Sequence, residues 1–126
     1  MRIAISAIIV KNRKLLLVKK VETWILPGGK PEEGETDLDC LRREVDEELS
    51  GTKLCNIKHY NNFEGQTPHT GDIIKIKAYF ADIDGGLYPS SREITDSKWI
   101  TNFSGYNLSD ITMKIVHSLK KDKYFD

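Results

Sequence analysis

Apolar positions along this chain recur with two different periods. Ile3 to Val10 is almost wholly apolar and rich in β-branched residues, and Asn12-Arg13 then supplies turn chemistry. Leu15-Leu16-Leu17-Val18 follows inside Lys14 to Lys19, so the start reads as a strand hairpin. Trp24-Ile25-Leu26 is a short extended segment stopped by Pro27-Gly28-Gly29, and Pro31 and Gly34 keep the next residues irregular. The period then lengthens to that of a helix. Leu38, Leu41, Val45 and Leu49 fall on one stripe, Thr36 is placed as the N-cap, and Asp37 and Asp39 suit the positive end of the helix dipole. Ser50-Gly51 is the stop signal.

Beyond the helix, Leu54 to Glu64 reads as a strand and Gly65 to Gly71 as a loop. Asp72 to Ile83 alternates through Ile74, Ile76, Ala78 and Phe80 as a strand should, and Asp84-Gly85-Gly86 marks a tight turn. Pro89 to Thr95 reads as a loop and Lys98-Trp99-Ile100 as a short strand. Ser109-Asp110 opens a closing helix whose apolar stripe is Ile111, Ile115, Val116 and Leu119. Strands on both sides of one helix, with a second helix at the end, predict an α/β layered domain.

Composition narrows the function without naming it. The chain has 126 residues and no linker, repeat or low-complexity run, which suits one domain. The formal net charge is zero, which argues against a stable nucleic-acid partner or a membrane surface as the main target. The apolar opening is too short to span a bilayer. Cys40 and Cys55 make no disulfide framework and have no ligand-spaced partner, so they are expected as reduced thiols in the cytoplasm, Cys55 as small core filler.

The chemistry sits on the first helix. Glu44, Glu47 and Glu48 fall on a stripe beside the apolar one, Glu48 nearest its edge, whereas Asp39, Arg42 and Asp46 lie on the solvated side. Cys40 falls on the carboxylate side, where no function follows from it. Like charges at this spacing cost a helix roughly 0.2–0.5 kcal/mol per pair. Most such clusters are plain solvated faces. Here a Gly-Gly turn precedes the helix, and a hard divalent cation such as Mg²⁺ would repay the repulsion. The combination points to chemistry on phosphates.

Gly29, Glu35, Arg43, Glu44, Val45, Glu47 and Glu48 stand at the spacing G-x5-E-x7-R-E-U-x-E-E-x-G-U, where U is aliphatic. On these residues the chain resembles the Nudix (MutT-like) hydrolase family. The resemblance implies a Nudix-type α/β/α sandwich with a mixed central sheet, in a single domain over residues 1–126. It also implies hydrolysis of a nucleoside diphosphate linked to some moiety X, with Mg²⁺ or Mn²⁺ as cofactor. By similarity, Glu44, Glu47 and Glu48 hold the metal and the carbonyl of Gly29 completes a coordination sphere. Glu35 and Arg43 form the ion pair that ties loop to helix. Small members of the family also use a later glutamate in a loop before a strand. Glu93 is that candidate, with Asp96 and Glu64 as weaker ones. The general base is sought among Glu44, Glu93 and Glu47, in that order. One departure stands at the end of the motif: Ser50 occupies the glycine position and Gly51 the final aliphatic one.

The resemblance leaves the substrate open. A (d)NTP cleaved to (d)NMP and pyrophosphate leads, with oxidised nucleotides included. ADP-ribose or another nucleoside-diphosphate sugar is the alternative, and Pro68 lies about where ADP-ribose-cleaving relatives carry a proline. Those relatives commonly carry an N-terminal extension, and the shortness of this chain favours the triphosphate reading. A non-catalytic nucleotide-sensing module is a further alternative, opposed by the presence of all three carboxylates. Isoprenoid isomerisation is remote. Trp24, Phe63, Tyr79 and Phe80 are candidates to stack on a base, although each is more readily core. Arg2, Lys19 and Lys20 are candidates for phosphate contacts or plain surface charges, and His69 for a base or phosphate contact. A monomer or homodimer acting on a small-molecule nucleotide is expected.

Overall fold

The computed structural model describes residues 2–66, 70–85, 88–89 and 93–125. Pro68, His69 and Gly86 lie outside the described residues. Among the described residues, ten strands and two helices follow in chain order: β1 (Arg2–Ile8), β2 (Val10–Lys11), β3 (Lys14–Lys20), β4 (Thr23–Ile25), β5 (Gly28–Gly29), α1 (Asp37–Glu48), β6 (Leu49–Ser50), β7 (Lys53–Gln66), β8 (Ile73–Asp84), β9 (Tyr88–Pro89), β10 (Ile94–Ile100) and α2 (Asp110–Lys121).

One sheet has the order β5-β1-β8-β7 and is mixed, because β1 runs parallel to β8 while the outer pairs are antiparallel. The second is antiparallel, β10-β3-β2, with β4 also on β3. The expected opening hairpin is only partly present. Val10-Lys11 pairs with Lys14-Leu15 through Asn12 and Arg13, at φ 52° and 60°, but β1 itself joins the other sheet. The reason lies in its sequence. A run apolar on both faces suits a central strand covered on both sides, and β1 lies between β5 and β8.

That two-sided burial defines the layers. Ala4 and Ile8 of β1 and Leu15 and Leu17 of β3 join Ile111, Ile115, Val116 and Leu119 of α2 in one core. Ile5, Ala7, Leu16 and Val18 point the other way and pack with Cys40, Leu41 and Val45 of α1 and with Leu49. The α/β/α sandwich with a mixed sheet is therefore present. No helix among the described residues is long and apolar enough to cross a membrane.

Several local expectations need correction. β10 begins at Ile94 rather than Lys98, because Ile94 pairs with Lys20, so the predicted loop through Thr95 ends earlier. β7 runs on to Gln66, two residues past the predicted end. The Gly28-Gly29 pair is a two-residue strand on β1 rather than a free turn. Cys55 is exposed, not core: Leu54 is the residue that turns inward, so ordinary strand alternation leaves Cys55 on the outer face.

Candidate active site

The first helix is fixed at both ends by local chemistry. Thr36 Oγ1 accepts from the Asp39 N–H at 3.2 Å, as expected of the N-cap, and Tyr79 of β8 donates to Asp37 Oδ2 at 2.7 Å. At the far end the Leu49 N–H caps onto Val45 O, Ser50 pairs with Tyr88, and Gly51 takes φ 82°. The glycine that comes one residue late in the motif therefore supplies the left-handed turn that sends the chain into β7.

The buried arc of α1 is rotated toward its carboxylates. Cys40, Leu41, Val45 and Glu48 are buried, whereas Leu38, expected in the core, is 39% exposed. Cys40 is accordingly a core residue and not a polar-face one. The cause is the strand opposite. Both residues of β5 lack side chains, so the helix settles close on that side. A Cβ on Gly29 would collide with the Glu44 carboxyl group, and one on Gly28 would collide with the carbonyl of Ile5.

Three different environments result for the three carboxylates. Glu48 is buried and its Oε1 accepts from the Gly28 N–H at 2.7 Å. Burial pushes its carboxyl up to about 7, against the pull of that N–H toward the ionised form. Glu44 lies half-buried against Gly29, and burial raises its pKa too, opposed by Arg43. Glu47 stands at the exposed edge, within 3.3 Å of Arg43 Nη1. As the side chains stand, no three His, Cys, Asp or Glu groups among the described residues are gathered tightly enough to grip one ion. The donor set nevertheless fits a hard divalent cation. It offers carboxylate oxygens from adjacent turns, two of them destabilised as anions by burial, across a strand whose missing Cβ leaves Glu44 its place.

Arg43 and Glu35 form the expected ion pair. Nε and Nη2 reach the two oxygens of Glu35 at 2.7 and 2.9 Å, and Nη2 also donates to Lys30 O at 3.1 Å. This contact holds the Glu35 carboxyl down at about 2 and raises Arg43. The Gly29 carbonyl accepts from Cys40 Sγ at 3.7 Å, a contact hidden in the sequence because the thiol lies beneath the loop. Burial raises that thiol to about 11, so it is not a nucleophile at neutral pH.

Glu93 is exposed and pairs with Lys20 Nζ at 3.2 Å, and both charges are felt at Glu48. Asp96 accepts from the Ser97 N–H instead, and Glu64 lies on edge strand β7 opposite Lys75. Arg2 pairs with Asp72 and Lys19 with Glu22. The aromatic candidates separate onto two faces. Trp24 is buried in the α2-side core with the Tyr106 ring edge-on at 5.6 Å, and Phe63 and Phe80 pack on that same core. Tyr79 belongs to the α1 side.

Residues 1–102 match the family model described as "NUDIX domain". The chain belongs to the Nudix family. It is a Nudix hydrolase by that match, and two curated relatives agree. A NAD-capped RNA hydrolase NudC of Vibrio parahaemolyticus is 38% identical over 73 residues, covering 57% of this chain but 26% of that protein. The chain thus spans about a quarter of that relative. An 8-oxo-dGTP diphosphatase of Buchnera aphidicola is 29% identical over 132 aligned residues, covering 96% of this chain and 95% of that protein. Among solved structures, a MutT NUDIX hydrolase from Burkholderia pseudomallei superposes with a TM-score of 0.82 at 22% identity, covering 92% of this chain and 95% of the other. That likeness concerns the fold.

Proposed function

We infer that this Nudix hydrolase cleaves a phosphoanhydride bond in a nucleoside diphosphate linked to X. A (d)NTP giving (d)NMP and pyrophosphate is the leading substrate, oxidised nucleotides included. The observation that carries the reading is the carboxylate edge of α1 lying against β5, with Glu48 tied to the Gly28 N–H and Glu44 seated over Gly29. The 8-oxo-dGTP diphosphatase relative, matched over nearly its whole length, supports the triphosphate class. The second reading is a pyrophosphatase of ADP-ribose or another nucleoside-diphosphate sugar, and the NAD-capped RNA hydrolase, spanned over about a quarter of its length, is a relative whose named substrate is not a free triphosphate.

Glu44, Glu47 and Glu48 would hold Mg²⁺ or Mn²⁺, with the Gly29 carbonyl as a further ligand. When bound, the metal neutralises phosphate charge and lowers the pKa of a coordinated water. The remaining work falls to the chain itself. Glu35 and Arg43 lock the loop after β5 onto α1, fixing where the carboxylates point. Burial raises the proton affinity of Glu44, which suits a base that takes the proton of the attacking water. Glu93 and then Glu47 follow as candidates for that role. The oxygen of the water forms a new P–O bond to one phosphorus of the anhydride as the bridging P–O bond breaks, and (d)NMP and pyrophosphate are the products.

Product analysis tests this. Protein is incubated with Mg²⁺ or Mn²⁺ and dNTPs, oxidised dNTPs, ADP-ribose and dinucleoside polyphosphates. Pyrophosphate with a monophosphate establishes the leading class, and two monophosphates from ADP-ribose establish the second. Glu47→Gln and Glu48→Gln are expected to fold normally and to be almost inactive, so full activity in either removes that residue from the site. No turnover by folded protein, with nucleotide still raising Tm, marks a sensor instead.

A further inference from the structure

A groove of about 500 Å³ opens between the middle of α1 and the start of β7, lined by Arg42, Arg43, Asp46, Thr52, Lys53 and Leu54. It follows from the way the helix ends. Gly51, at φ 82°, turns the chain back, and β7 then begins beside the turn of α1 that carries Arg42 and Asp46. Arg42 and Asp46 each precede Arg43 and Glu47 by one residue, about 100° of helix rotation. The groove is therefore on a different face from the carboxylate edge.

Its cations are left uncommitted. Arg43 is occupied by Glu35, Glu44 and Glu47. Arg42 stands one turn from Asp46, a spacing at which helical ion pairs ordinarily form. Lys53 stands opposite Asp84 in the β7–β8 pair, where opposite charges ordinarily meet. Neither takes the partner offered, and among the described residues Arg42 and Lys53 form no ion pair. Two exposed cations alone would be plain solvated surface. Here one belongs to the helix wall and the other to the strand wall of a single hollow, with Asp46 the one carboxylate in the lining. The volume lies within the range of about 300–1,000 Å³ usual for small-molecule sites, and Leu54 adds an apolar stretch of wall.

We propose that this groove is a second anion site, where Arg42 and Lys53 bind the phosphoryl group of a small phosphate compound away from the carboxylate edge. A guanidinium and an ammonium brought in from two elements match the several charged oxygens of that group. Inorganic phosphate, pyrophosphate and a nucleoside monophosphate share this chemistry, and only the last fills the rest of the groove. Binding here uses no metal, so the site stands or falls apart from the proposed reaction.

The test is an NMR titration of the full ¹⁵N-labelled chain in EDTA, at constant ionic strength, with inorganic phosphate, pyrophosphate and 5′-AMP. The backbone amides of Arg42, Asp46, Thr52 and Lys53 should shift and saturate with a Kd of about 1 mM or tighter, while those of Gly28 and Gly29 stay in place. The double variant Arg42→Gln, Lys53→Gln changes two exposed side chains. It should fold as the parent does and bind about tenfold more weakly. Tighter saturation by 5′-AMP than by the inorganic anions assigns the site to a nucleotide, and the reverse order assigns it to the free anion. Shifts centred on Gly28 and Gly29 overturn the proposal, as do groove shifts that the double variant leaves unchanged. An absence of saturation by all three compounds up to about 10 mM, tenfold above the expected Kd, overturns it equally.

Discussion

Gly28 and Gly29 are adjacent in sequence and in strand β5, yet a methyl group on each should do opposite things. At Gly28 a Cβ would collide with the backbone carbonyl of Ile5 and lie 2.8 Å from Ser6 Cα, and the φ of 147° is itself hostile to an L side chain. Backbone cannot swing aside. The strained φ costs about 1–3 kcal/mol, and overpacking adds about 1–3 kcal/mol. Gly28→Ala should therefore lose about 2–6 kcal/mol, against a total of about 6–19 kcal/mol for a chain of this length. At Gly29 the three atoms nearest the Cβ all belong to the end of the Glu44 side chain, which can rotate away. Gly29→Ala should then cost less than about 1 kcal/mol of stability, but it evicts Glu44 from its seat. Metal affinity should fall at least tenfold, about 1.4 kcal/mol. Urea denaturation in EDTA reads the first effect and calorimetric Mg²⁺ or Mn²⁺ titration the second. Gly28→Ala as stable as wild type, or Gly29→Ala binding metal as tightly, would refute the reasoning.

Three further outcomes follow from the same contacts. Arg43 holds Glu35 at about 2, below its ordinary value near 4.3. The folded state therefore resists protonation. The stabilisation is whole above about pH 4.3 and is lost as pH falls toward 2, so Glu35→Gln should flatten that limb of Tm against pH in metal-free protein, and an unchanged limb would show the pair is not the source. Tyr79→Phe removes the hydrogen bond that ties the first turn of α1 to β8. It should cost about 1.5 kcal/mol by denaturation, the lower end for a bond to a charged group because Asp37 stays partly hydrated. Leu41→Ala empties a fully buried site under α1, and a loss of about 2–5 kcal/mol is expected, with metal affinity of the folded fraction unchanged.

What could be read from the chain was what depends on neighbours along it. Thr36 as N-cap and the spacing of Glu44, Glu47 and Glu48 belong to one loop and one helix, so helical period and charge suffice, whereas the Glu35–Arg43 pair was implied by the resemblance of the motif. The α2 stripe of Ile111, Ile115, Val116 and Leu119 was legible for the same reason. Three features were not. The uniform apolar run from Ile3 to Val10 has no period to mark its division between two sheets, so a hairpin was the natural reading. The start of β10 at Ile94 depends on pairing with Lys20, which turn-like local composition concealed. The exposed Cys55 follows from Leu54 turning inward on the edge strand, and sequence alone does not say which of the two apolar neighbours does so.

The rotation of α1 is the most instructive of the differences, because it changes what the carboxylates are. The apolar stripe alone centres the helix on Leu41 and Val45 and leaves Leu38 inside and Cys40 outside. In the fold the reverse holds, since β5 presents two glycines and the helix closes the gap they leave. That shift takes Glu48 from the rim into the interior and gives its carboxylate the Gly28 N–H as partner. It also places Cys40 beneath the Gly29 carbonyl. The motif glycine is thus tied to the motif glutamates by space as well as by spacing: without a missing Cβ on β5, Glu44 would have no seat, and the acidic stripe would be the solvated helix face that most such stripes are. Base selection has no comparable local anchor. Trp24, Phe63 and Phe80 are committed to the α2-side core and Tyr79 to the other side, so no single run of residues marks where a base would lie.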